Sequence, residues 1–79
     1  MDNLEKYKNA FKEAFEIDEA AITDDLAYDT IPEWDSVGHM RLMAAIEDAF
    51  DIMLETEDIL DFGTVGKGKE ILLKYDVKI

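Results

Sequence analysis

The residues best placed to do chemistry stand together in "EWDSVGHM", positions 33 to 40, where Ser36 sits between Asp35 and Val37. Ser36 admits three readings: the cap of a helix, a nucleophile, or a point of attachment. An Asp-Ser pair opening a helix makes a good cap, because either side-chain oxygen can accept from a free first-turn N–H. A nucleophilic serine needs a base within reach and a third group to orient that base. The chain has no cysteine and one histidine, His39. Helical spacing puts His39 on the core-facing side, so a partly buried, hydrogen-bonded histidine is expected rather than a base or metal ligand. The chain therefore reads as non-catalytic.

A second stretch, "GTVGKGKE" at 63–70, satisfies seven of the eight positions of the phosphate-binding pattern G-x-x-x-x-G-K-[ST]. Glu70 stands where a hydroxyl should hold magnesium, and its carboxylate would repel phosphate. That loop also needs a preceding strand in a sheet, which a chain this short cannot supply. The acids are many, but no stretch follows the D-x-[DN]-x-[DN]-G order of a calcium loop, so no metal site is expected.

These residues are placed by helices. Leu4, Tyr7, Phe11, Ala14 and Phe15 recur at three- and four-residue spacing, which predicts a first amphipathic helix. Residues 16–34 lack a sustained period, and Thr23, Asp24, Asp25 and Pro32 argue against a continuous helix there. A loop so long in so small a domain needs anchors; Ile17, Ile22, Leu26, Tyr28 and Ile31 are the candidates. A second helix should begin at the Asp35–Ser36 corner and run to about Phe50. His39, Leu42, Met43, Ile46 and Phe50 share its core face. Val37, Met40 and Ala44 form an apolar stripe on another face, bordered by Glu47 and Asp48, and a helix apolar on two sides reserves one for a partner. A short third helix starts at Thr56 and carries Ile59 and Leu60. Phe62 and Val65 read as core, and Thr64 caps a fourth helix bearing Leu72 and Tyr75 inward with Ile71 beside them. Gly66 and Gly68 weaken that helix by about 1 kcal/mol each relative to alanine, so alanine at either is expected to stabilise it where φ is negative. The fold class is all-α: a small four-helix bundle of three main helices and a short third, with a long loop between helices one and two.

Seventy-nine residues make one domain, 1–79, near the lower limit for a core without staples. The N-terminus is charged and periodic, unlike a signal peptide, and no apolar run is long enough to span a bilayer; a cytoplasmic monomer is expected. The net charge of −12 is unevenly laid out. From Glu13 to Gly66 stand sixteen acids and one base, Arg41, while the two ends hold four acids and seven lysines. Such a middle repels nucleic acid and anionic lipid and attracts basic protein surfaces.

Asp35-Ser36-Val37, opening an acidic helix after a long loop, resembles the motif of the carrier-protein family: acyl carrier proteins and their peptidyl and D-alanyl relatives. The resemblance covers nearly the whole chain, from the first amphipathic helix through "DSVGHMRLMAAIEDAFDI" to the helix after "FGTV". It implies a 4′-phosphopantetheine arm, attached to Ser36 by a transferase that takes it from coenzyme A. The arm's thiol then carries acyl groups as thioesters. The resemblance gives Asp35 a supporting role toward the transferase's metal and coenzyme. It makes Val37, Met40, Arg41, Ala44, Glu47 and Asp48 the docking surface for acyl-loading, condensing or acyltransferase enzymes with basic faces. Gly38 stands where carriers of primary fatty-acid synthesis usually have an acid, and Trp34 precedes the aspartate. In both respects the chain looks more like discrete carriers of specialised pathways, such as natural-product or surface-polysaccharide acylation. The rival reading is an unmodified acidic helical adaptor that binds a basic partner.

Overall fold

Asp2 starts the first helix by accepting the Glu5 N–H on its carboxylate at 2.9 Å. In the computed structural model, which describes residues 2–79, this helix, α1, spans Asn3–Phe15. Its inner face is Tyr7, Ala10, Phe11 and Phe15, all buried, whereas Leu4 and Ala14 lie at the edge of that face. Ala10 extends the same period as a small buried residue. Glu16 then closes α1 in the left-handed region, its N–H on the Lys12 carbonyl.

The remaining α-helices are α2 (Ser36–Phe50), α3 (Thr56–Asp61) and α4 (Val65–Leu73), with a single 3-10 turn, Glu19–Ala21, in the long loop, so the expected four-helix architecture is present with its short third member. Among the described residues there is no strand; one antiparallel bridge joins Ala27 to Thr64. That bridge is how the long loop is held. Tyr28 N–H donates to the Gly63 carbonyl at 2.9 Å, Val65 N–H to Leu26 at 3.0 Å and Gly66 N–H to Asp24 at 3.1 Å. Ile22 is buried, and Ile17, Leu26 and Ile31 pack against the core, so four of the five expected anchors hold the loop by their side chains. Tyr28 holds it by its backbone, while its ring, 42% exposed, stands edge-on to His39.

The core is aromatic and centred on Trp34, which the sequence marks only as unusual before the motif. Trp34 is fully buried, with ring centroids 5.6 Å from Phe11, 5.3 Å from Phe15 and 6.5 Å from Phe62. Edge-to-face and tilted pairs of this kind add about 0.5–1.5 kcal/mol each beyond the area they bury. Leu42, Met43 and Ile46 complete the floor from α2 and Leu72 from α4, while Phe50 is half-covered beneath Lys6. Tyr7 keeps its hydroxyl inside by donating to the Val65 carbonyl at 2.6 Å; burial, with Asp24 adding to it, pushes that phenol far up from its ordinary range.

A polar lock joins α3 to the end of α4. Asp58, 3% exposed, bonds Lys74 Nζ through one oxygen and accepts from the Tyr75 hydroxyl at 2.5 Å on the other, and that hydroxyl accepts from Glu55 N–H at 3.0 Å. The bonds from Lys74 and then Tyr75 hold the Asp58 carboxyl below the usual carboxylate range. A depressed carboxylate contributes stability that is present above the ordinary carboxylate range and lost as pH falls through the depressed value. Asp58→Asn should lower the melting temperature at neutral pH and flatten its fall on acidification below about pH 5, where the ordinary carboxylate range begins.

One of the two glycines of α4, Gly68, differs from expectation. Neither has positive φ, yet only Gly66 has room for a methyl group, its nearest neighbours being Asp24 atoms at 3.4 Å. A Cβ on Gly68 would stand 2.1 Å from the Tyr7 hydroxyl oxygen and 2.2 Å from Phe62 Cζ, inside the packed core. The expectation that alanine stabilises both positions is corrected for Gly68, where close packing outweighs helix propensity. Gly68→Ala should cost about 1–3 kcal/mol in urea unfolding, while Gly66→Ala should be neutral or stabilising by up to about 1 kcal/mol.

Candidate functional site at the Asp35–Ser36 corner

Asp35 is the N-cap of α2. Its backbone is extended, its Oδ1 accepts the Gly38 N–H at 2.8 Å, and its carbonyl accepts the His39 N–H at 2.7 Å. Capping thus falls to the aspartate and leaves the serine out. Ser36 is exposed, and its hydroxyl makes no hydrogen bond to any described residue. It stands at the first helical position, where unpaired backbone N–H groups and the helix dipole favour negative charge.

The corner is fixed from three sides by its neighbours. Gly38 is buried, and a Cβ there would stand 1.9 Å from the Glu33 carbonyl oxygen, so only glycine permits this approach of helix to loop. Trp34, two residues before Ser36, accepts the Asp29 N–H on its carbonyl at 2.8 Å, and its indole N–H donates to His39 Nδ1 at 2.9 Å. His39 Nε2 pairs with the Ile59 carbonyl of α3 at 2.8 Å. The expected half-buried, hydrogen-bonded role of His39 is what the structure shows. Reading the sequence alone missed Trp34 and Gly38 as parts of this corner. A lone tryptophan five residues before a core-facing histidine was the available signal, since an indole N–H needs an acceptor.

Ser36 borders an apolar cleft of about 480 Å³, walled by Tyr28, His39, Met40, Ile59, Leu60 and Phe62. Met40 and Leu60 are 56% and 79% exposed at its rim. On the adjoining face of α2, Val37, Arg41, Ala44 and Asp48 are all exposed. Arg41, Ala44 and Asp48 border a shallow groove against Glu13 and Ala14 of α1. Glu47 differs from this group. It is half-buried, and its Oε2 accepts the Leu54 N–H at 2.8 Å, tying down the turn after α2.

The three ion pairs among the described residues each join a terminal lysine to an acid of the middle segment: Lys12–Glu19, Lys69–Asp24 and Lys74–Asp58. None of them involves Asp35 or Asp48. No group of three or more metal-ligating side chains forms among the described residues, and no helix there is long and apolar enough to cross a membrane.

No family model, no curated protein and no solved structure matches the chain.

Exchanging the two corner residues separates their duties. Asp35→Ala should cost about 1 kcal/mol by removing the cap, whereas Ser36→Ala should stay within about 0.5 kcal/mol of the parent. Chemical denaturation of the two variants side by side measures the difference.

Proposed function

We propose that this chain is a carrier protein of the acyl or peptidyl kind, which takes a 4′-phosphopantetheine arm on Ser36 and presents acyl groups to partner enzymes. One observation carries the reading. The Ser36 hydroxyl is exposed and uncommitted at a corner that its neighbours hold rigid, as an attachment point requires and a capping serine does not. The residues present fit the arm: a free hydroxyl, a helix N-terminus favouring the added phosphodiester's charge, and an apolar cleft beside it. The arm supplies the thiol that a chain without cysteine lacks.

In this reading Ser36 Oγ forms a bond to the diphosphate phosphorus of coenzyme A that carries the pantetheine. The P–O bond to the coenzyme's adenosine bisphosphate breaks, and the serine proton passes to a base of the transferase. Asp35, one oxygen on Gly38, leaves its other oxygen to the transferase's metal and coenzyme. Val37 and Met40 give partners an apolar contact beside Ser36, with Arg41 and Ala44 next to it. Asp48 and the other unpaired acids steer encounter with basic faces on the transferase and on acyl-loading, condensing or acyltransferase enzymes. Glu47 adds charge there while holding its turn. Trp34 and Gly38 favour a discrete carrier of a specialised pathway, working as a cytoplasmic monomer.

Incubation with coenzyme A and a broad-specificity phosphopantetheinyl transferase should add one phosphopantetheinyl mass to the intact protein, and Ser36→Ala should abolish it. Met40→Ala should weaken the transferase encounter chiefly through faster dissociation, and Asp48→Lys through slower, less salt-dependent association. An unchanged mass with several such transferases would favour the unmodified acidic adaptor instead.

A further inference from the structure

The His39 side chain bonds both the segment leading into Ser36, at Trp34, and the α3 wall of the cleft, at Ile59. Its two hydrogen bonds determine its state. An indole N–H can only donate, so the 2.9 Å contact from Trp34 Nε1 makes His39 Nδ1 an acceptor. Nε2 then carries the hydrogen and donates to the Ile59 carbonyl at 2.8 Å. Both nitrogens are committed, one to each side of the site. The Tyr28 ring stands edge-on to the imidazole at 5.5 Å and the Phe62 ring at 6.2 Å, while the Trp34 ring lies within 16° of its plane, so the ring is packed as well as bonded.

We propose that His39 is the positioning residue of the Ser36 site. As the neutral Nε2–H tautomer it fixes Trp34, and through it the corner that presents the Ser36 hydroxyl, at a set distance from α3. For its effect on Ser36 this rests on the carrier reading; the double hydrogen bond itself does not. Without the tie, Trp34 loses its indole acceptor in the core and the Ile59 carbonyl loses its donor. The corner and the cleft wall are then free to drift apart while the aromatic core still folds.

The test compares the full chain with His39→Gln and His39→Leu. Glutamine has a carbonyl oxygen for the indole and an amide N–H for Ile59; leucine fills space with neither. The chain's single tryptophan gives one indole N–H resonance, which reports the tie without reference to modification. Transferase kinetics with coenzyme A are then measured well below each melting temperature, so that the folded fraction is the same. His39→Leu should shift the indole resonance and lower kcat for modification by about tenfold, the sign of a misplaced hydroxyl, with a smaller effect on KM. His39→Gln should keep the resonance near the parent's and restore kcat to within about twofold. His39→Leu with the parent kcat despite a shifted resonance would overturn the proposal. So would a His39→Gln variant that keeps the resonance yet is as slow as leucine. If the parent chain itself gains no mass, the carrier reading falls and the positioning role with it, even with the tie intact in the spectrum.

Discussion

A buried indole N–H has to find an acceptor, and the placement of Ser36 follows from how this chain satisfies that need. Trp34 is fully enclosed, and leaving its donor unpaired there would cost about 1–3 kcal/mol. The acceptor is His39, one helical turn past Ser36, so the bond spans the corner that the serine occupies. Because the imidazole spends its other nitrogen on α3, a single ring sets the loop, α2 and α3 relative to one another. The aromatic contacts around Trp34 supply the burial energy that holds this arrangement, and the hydrogen bonds give it one geometry.

The rest of the corner divides its work in a way that suits a serine left free. Asp35 satisfies the helix terminus, Gly38 allows the close approach to Glu33, and Trp34 with His39 sets the distance to α3. Three acids of the middle segment are paired with lysines from the chain ends, while Asp35 and Asp48 take part in none of these ion pairs.

Much of this was legible in the sequence. Helical periodicity placed α1 and α2 and sorted the faces of α2, with Leu42 and Ile46 buried against Val37 and Met40 at 60% and 56% exposure. Thr64 caps α4 as its residue type and position foretell. What stayed hidden involved contacts between residues far apart in the chain. Asp58 in the first turn of α3 is buried on Lys74 and Tyr75, which periodicity cannot pair with it. Gly68 reads as a weak point in a helix because propensity is local, whereas the rings of Tyr7 and Phe62 that fill its space come from two other elements. Glu47 reads as a solvated acid until the turn after α2 folds back onto it.

The approach of Gly38 to the Glu33 carbonyl bears on how this segment could be exchanged between proteins. With a side chain at position 38, the helix would have to leave the loop at another angle. Trp34 and His39 would then no longer meet. Residues 33 to 39 therefore form one inseparable cassette: a chimera that took the Asp-Ser pair from this chain without its glycine, tryptophan and histidine would inherit the serine but not its orientation.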